Sequence, residues 1–574
     1  MRTLPIALLV TLWPLLAVSA SGQSMPYDTT PSWISASGDI STGGAFADLD
    51  RDGWEDLVVA NGNDILRQRV VVYYNQGLGQ FNATPDWSSS DIDYHGHLSV
   101  GDVNDDGWPD VAVAVFLGPG GFGSTGGAKL YLNDGAGTLS STPSWSSADS
   151  FYCFSVRLGD ADGDGDLDLA AAAGEPYFGA PASDRIYLNS GGALATTPGW
   201  MSAHVEHSLD LTFADADADG DLDLITCGAG APNRIYFSSG GLVATTSGWS
   251  STDNPNQNGN SITTFDLSAD GLLDLVVTDN DQLGGGLGLF KIYAGMLGGF
   301  ATTPSFSAYG GFTSSIAAAD LLLDGFPDLV GGVWFGKARI YSNTTGFPST
   351  TAAWQMSGSS VQEAMFLADL NRDGLHTAMG ETYPVDGVRK AFRLGHAPSA
   401  RINRVFADGL LVPDADFCYD LEAGWVSLKT APATSLSIDY VWSDALDLGV
   451  TNWDSSVGNY IWLRHHRVRA RLTPPPAIIH EGQTLSFTVE LSNTTAVSQA
   501  YRAGGLFFPP AGPALIYHIE NGPLPAFGSN VINGSIPIPT GLPAAVHGVW
   551  TFFELVQQDG VIVDRASFQF DLQP

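Results

Sequence analysis

The amino-acid sequence predicts an all-β protein: a seven-bladed β-propeller, then a β-rich extension, then a C-terminal immunoglobulin-like β-sandwich. Three observations carry that reading. An acidic stretch of the type DADADGDLDL, here from Asp215, recurs seven times at steps of 49 to 58 residues. A second marker, TPxW in four copies and a variant of it in three more, recurs with a similar step. No long stretch has a helical period, whereas Gly (68 residues) and aromatics are plentiful, which suits short strands joined by tight turns.

Residues 1–22 read as a secretory signal peptide. Arg2 precedes an apolar run from Leu4 to Val18 that is short for a bilayer, and small residues follow at Ser19 and Ala20. A secreted, soluble monomer without membrane insertion is expected. The formal net charge of −37 makes nucleic acid and anionic membrane poor partners and cations good ones. Cys153, Cys227 and Cys418 are too few for a disulfide framework; buried thiols are favoured, with a Cys153–Cys227 bridge as the alternative.

Residues 26–400 hold the repeats. The acidic copies begin at Asp48, Asp102, Asp160, Asp215, Asp266, Asp320 and Asp369, and the TPxW-type markers at residues 30, 84, 142, 197, 246, 303 and 351. Between them lie an apolar strand running into the acidic loop, a second apolar strand such as DLITCG, and a hairpin such as RIYLNSGGALATTP. Four strands in about fifty residues, repeated radially, form propeller blades and leave no long exposed sheet edge. The first TPxW precedes the first acidic loop, so the N-terminal segment is expected to complete the last blade.

The loop pattern is D-x-[DN]-x-D-G-x-x-D. Side chains at positions 1, 3 and 5 converge if the chain curls, Gly at position 6 permits the turn, position 7 offers a carbonyl and position 9 closes the cage. Hard oxygen ligands in that spacing specify Ca²⁺, as in an EF-hand loop without its Glu or its helices. Four copies carry a full set: Asp48, Asp50, Asp52, Trp54 and Asp56; Asp102, Asn104, Asp106, Trp108 and Asp110; Asp160, Asp162, Asp164, Asp166 and Asp168; Asp215, Asp217, Asp219, Asp221 and Asp223. The fifth, with Asp266, Ser268, Asp270 and Asp274, is a further candidate; Leu322 and Thr377 weaken the sixth and seventh. The calcium is read as structural.

At these residues the chain resembles the FG-GAP/VCBS repeat family, which includes the seven-bladed propeller of integrin α subunits. The resemblance implies calcium loops on one face and a ligand-binding face opposite, built from the segments before each first strand and the loops after each second. There the sequence places His95, His97, His204 and His207 with Glu206, Glu175, Tyr94, Tyr152 and Tyr177. The leading function is a secreted calcium-binding protein of the binding or adhesion type, with an extracellular glycan or protein as ligand. The alternative is a polysaccharide lyase or hydrolase using His95, His97, His204, Glu206 and His207; a third is a structural surface or matrix component.

Beyond the repeats, residues 401–463 read as strands capping the last blade, 464–476 as a basic, Pro-ended linker, and 477–574 as about seven short strands with Gly/Pro turns, hence the sandwich.

Overall fold

The computed structural model describes residues 25–36, 38–177, 179–254, 257–280, 288–464, 468–473, 478–493, 499–509, 515–524, 529–540, 547–558 and 561–574. The expected signal peptide lies outside them, as do residues 465–467 and 474–476 of the expected linker. The described residues form two compact units: Tyr27–Arg464, and those from Val468 to Pro574.

The first unit is built from four-stranded antiparallel sheets, as the alternation of apolar runs and turns predicts. Six follow the chain in order; sheet one, for example, is Ser41–Ala47, Asp56–Asn61, Val70–Tyr73 and Trp87–Ser88. Sheets two to six begin with Tyr94–Gly101, Cys153–Gly159, His207–Ala214, Gly259–Phe265 and Phe312–Ala319. The seventh is composite: Gln362–Ala368, Asp447–Asn452, Tyr460–Trp462 and, from the N-terminal end, Trp33–Ile34. The seven first strands pack each against the next, and Gln362–Ala368 packs against Ser41–Ala47.

Second strands are wholly buried because a neighbouring sheet covers each face, which explains continuous apolar runs such as Asp110–Gly118. Each such aliphatic side chain contributes about 1.5–3 kcal/mol of burial. The TPxW tryptophans meet the next sheet edge-on: Trp33 on Tyr73, Trp87 on Tyr131, Trp145 on Tyr187, Trp200 on Tyr236 and Trp249 on Tyr293. All three cysteines are buried free thiols, so no Cys153–Cys227 bridge forms.

The expected boundary at residue 400 does not match the sheets. Residues 375–443 are an insertion between the first and second strands of sheet seven. It holds a sheet ordered Leu375–Tyr383, Leu436–Ser443, Ser399–Ala407, Leu410–Leu411 and another ordered Ala391–Arg393, Trp425–Leu428, Phe417–Asp420. Residues 447–462 then rejoin the seventh sheet rather than extending beyond it. The chain leaves the sheet after Gly374, where Thr377 rather than Asp holds position 9.

The second unit has a three-stranded sheet, Val468–Thr473, Thr484–Asn493 and Ser529–Pro537, and a five-stranded sheet that includes Gln499–Phe508, Gly548–Gln558 and Val561–Gln573. Leu485, Phe487, Val489 and Leu491 alternate inward from one sheet onto Tyr501, Phe507, Phe552 and Phe570 of the other. Among the described residues, no helix is long and apolar enough to cross a membrane.

Candidate functional site

Each acidic loop is shaped by its own carboxylates. In all seven copies Oδ2 of the first Asp accepts the N–H of the position-6 Gly at 2.7–3.1 Å, as Asp48 does from Gly53 and Asp369 from Gly374. In six of the copies that Gly has φ between 87° and 98°, a region costly for any residue with a Cβ.

The last Asp is a staple. Asp56, Asp110, Asp168, Asp223, Asp274 and Asp328 each accept an N–H from their own loop through Oδ2, Asp328 taking a second from Leu322, and one from the end of the third strand through Oδ1, at 2.7–3.1 Å. Asp447 does the same for sheet seven, accepting from Leu370 at 2.8 Å and Arg464 at 2.6 Å. Asn75, Asn133, Asn189 and Asn343 at the third-strand ends donate to the loop carbonyls of Leu370, Leu49, Val103 and Leu267 in the preceding sheet. Asn75 thereby ties sheet one to sheet seven.

Three loops gather carboxylate oxygens within 4.8 Å of one another: Asp48, Asp50 and Asp52; Asp160, Asp162 and Asp168; Asp215, Asp217 and Asp223. In each cluster one buried oxygen, Asp48 Oδ1, Asp162 Oδ1 or Asp215 Oδ1, has no hydrogen-bond partner. Ser268 Oγ in the fifth loop is likewise buried and unpartnered. Burial, reinforced by neighbouring carboxylates, pushes Asp160 up to about 6 and Asp56 and Asp223 up to about 8. In the second loop burial lifts Asp110 to about 7, and the Asn104 amide donates to Asp106 Oδ2 at 2.9 Å. Orphaned acceptors, oxygen-only donors and a field that disfavours ionisation fit a hard divalent cation.

Side chains at position 7 have other roles. The Trp54 ring carries the Arg372 guanidinium and the Trp108 ring that of Arg51, while Asp166 and Asp221 accept the N–H groups of Gly191 and Gly240. The insertion supplies cations to loops three to five. Arg389 Nη1 lies 2.8 Å from Asp215 Oδ2, Arg393 Nη2 3.2 Å from Asp266 Oδ2, and Lys390 Nζ donates to the Gly163 carbonyl at 2.6 Å. Ser427 donates to Asp160 Oδ2 at 2.7 Å. No local spacing signals these partners, because they lie more than 100 positions away in the chain.

The histidines expected to gather on the opposite face do not. His95 and His97 belong to sheet two, His204 and His207 to sheet four or its edge, and the first strand of sheet three packs between the two. His95 is fully buried with Nδ1 2.8 Å from the Asn61 carbonyl, and His97 lies 5.2 Å from the Phe154 ring; burial lowers the pKa of both. His204 sits 3.3 Å from the Tyr236 hydroxyl, and Glu206 is paired with Arg234. The Nδ1 of His207 has no hydrogen-bond partner, and burial lowers its pKa.

What that face does build was not legible as a motif. Each first strand has a β-bulge near the residue six places before its loop: Thr42, Gly96, Phe154, Leu209, Asn260, Ser314 and Glu363. Phe154, Leu209, Asn260 and Glu363 of this ring line an open cup, with Phe116, Tyr177, Trp334 and Trp453 on its walls. A second axial cavity touches all seven first strands and is lined at one end by Asp420, Glu422 and Ala423 of the insertion.

A family model described as FG-GAP-like repeat matches residues 48–113 and 115–171. No curated protein matches the chain. Among solved structures, Sqt1 of Saccharomyces cerevisiae is 9% identical, with 81% of this chain and 96% of that chain covered and a TM-score of 0.37. The CARDB domain of PF1109 from Pyrococcus furiosus is 13% identical, covering 18% of this chain and 94% of that one, with a TM-score of 0.15. The alkylpurine DNA glycosylase AlkC of Pseudomonas fluorescens is 19% identical over 19% of this chain, with a TM-score of 0.16; the match spans 31% of that protein.

Proposed function

From the FG-GAP-like repeats that this chain carries, we propose that the seven sheets are the blades of a calcium-stabilised β-propeller in a secreted binding or adhesion protein. Its ligand is an extracellular glycan or protein held on the face opposite the acidic loops. The observation that carries the calcium reading is the buried, unpartnered oxygen in each three-Asp cluster, Asp48 Oδ1, Asp162 Oδ1 and Asp215 Oδ1. Asp48, Asp50 and Asp52, Asp160, Asp162 and Asp168, and Asp215, Asp217 and Asp223 would hold the ion, whose charge offsets the mutual repulsion of the carboxylates. Asn104 and Ser268 extend the set to the second and fifth loops. The role is structural, joining first to second strand. The C-terminal unit, two sheets on one core, is read as an immunoglobulin-like spacer.

The enzyme reading draws no support from the histidines, which are divided between sheets and in part buried. The test is calorimetric titration of metal-free mature protein with Ca²⁺, followed by a glycan array in calcium. Calcium uptake with array binding is expected; no uptake refutes the loop assignment.

A further inference from the structure

The cup opposite the acidic loops has features that the fold alone does not require. Glu363 is fully buried at its edge, and it is the single carboxylate in the ring of bulged residues. Trp334 Nε1 donates to Glu363 Oε2, while Glu363 Oε1 has no hydrogen-bond partner. Trp453 also lines the cup, stacked on Trp334 with centroids 6.0 Å apart and planes at 26°, and its own Nε1 is buried without an acceptor. Burying an unsatisfied donor and acceptor is costly, so a site that keeps both beside an aromatic wall is shaped for something that completes them.

The complement has to bring hydroxyl-like groups, one to pair with Glu363 Oε1, as acceptor from the neutral carboxyl or donor to the carboxylate, and one to accept from Trp453 Nε1. It must also present apolar surface to Phe116, Phe154 and the indoles, and it need carry no charge. Burial raises the Glu363 pKa to about 8, so near neutral pH the cup presents largely an uncharged carboxyl. A pyranose ring, with C–H faces and ring hydroxyls, has this combination. The bulges explain how one strand position comes to face the cup, since a bulge re-aims the side chain it carries. The insertion lines the other end of the axial space through Asp420 and Glu422, the latter 3.6 Å from Arg157.

We propose that the cup bounded by Glu363, Trp334, Trp453, Tyr177 and Phe154 is a binding site for a single neutral pyranose residue, Glu363 and Trp453 taking its hydroxyls and the aromatic side chains its apolar face. This rests on the glycan reading above and gives it a location.

The experiment titrates the full mature chain in calcium with D-glucose, D-galactose, D-mannose and N-acetyl-D-glucosamine, read by calorimetry and tryptophan fluorescence. Putrescine serves as an amine counter-probe. At least one sugar is expected to bind saturably with Kd on the order of 1 mM. Glu363→Ala should weaken it at least tenfold and Trp453→Phe, which keeps a ring but loses the N–H, about fivefold. Tyr177, 46% exposed at the lip, supplies a variant outside the buried core; Tyr177→Ala should weaken binding about threefold without moving the thermal midpoint. Sugar binding unchanged in all three variants overturns the cup while leaving the glycan reading intact. Calcium stabilisation without binding of any sugar, or saturable putrescine binding lost in Glu363→Gln, overturns the pyranose assignment and leaves the calcium loops standing.

Discussion

Eight residues separate Asp48 from Asp56 in the first acidic loop, whereas 78 separate Asp369 from Asp447 in the seventh. Both pairs nonetheless make the same bonds: Asp369 accepts from Gly374 as Asp48 does from Gly53, and Asp447 bridges Leu370 and Arg464 as Asp56 bridges Leu49 and Asn75. What changes is the turn. The other position-6 glycines have φ between 87° and 98°, but Gly374 is not in that region; it is needed because a Cβ there would come 2.4 Å from that of Ala445. The contrast teaches that the sheets require the staple and not a continuous loop. A buried pair of N–H groups demands its acceptor whether the Asp arrives eight residues later or 78.

The largest effect should come from removing that acceptor. Asp447→Ala and Asp328→Ala each strand two buried backbone donors, so each should cost about 2–6 kcal/mol in chemical denaturation. A loss under about 1 kcal/mol for Asp447→Ala alone would show that the long connection does not need its staple. Calcium should separate the copies next. Asp217→Ala is expected to remove part of the stabilisation that saturating calcium supplies, about 2.7 kcal/mol per site at a hundredfold excess over Kd, while Asn371→Ala in the seventh loop leaves it unchanged in thermal unfolding.

The pH dependence is smaller and its sign follows from burial. Asp56, Asp223 and Asp328 are pushed up to about 8 in the folded chain. Their contribution is fully present below the ordinary carboxylate range near pH 4 and is lost as pH rises through about 8. In chelator, thermal midpoints should therefore fall between pH 5 and about 8.5, and calcium should flatten that slope at loops one and four but not at Asp328 in loop six. A parallel slope with and without calcium would place the ion elsewhere. Least of all, Arg389→Ala should cost about 0.5–1 kcal/mol in chelator by releasing Asp215, and less in calcium, where the ion replaces the guanidinium. Equal losses in both conditions would mean that Arg389 and the ion do not share the carboxylate.

Much of the first unit was legible because its signals are local. The acidic loops, the TPxW markers and the apolar runs each state a short-range geometry, and their period places six sheets and the strand at Trp33 that joins the seventh. The insertion hid because its return point, DALDL at residues 444–448, repeats the end of an acidic loop without its beginning. The histidines misled for a related reason. Shared position in the repeat puts residues on one face, but His95 and His97 turn into the packed interior while His204 stays beside Tyr236 at the sheet edge. Glu363 and Trp453 carried no motif at all, since they lie 90 positions apart, one in the strand before the insertion and the other just past the strand Asp447–Asn452 that follows it.

Local spacing was enough for the all-β class, the repeat, the curl of the acidic loops and the carboxylate sets that suit a hard cation, because hydrogen bonds within ten residues and side-chain alternation are written in spacing alone. Tertiary structure decided which strands return to the seventh sheet after the insertion, which cations from the insertion meet loops three to five, and that Glu363 and two indoles share one cup. Those depend on which sheets become neighbours, and a buried donor or acceptor can be left without a partner only by surroundings that no local spacing describes.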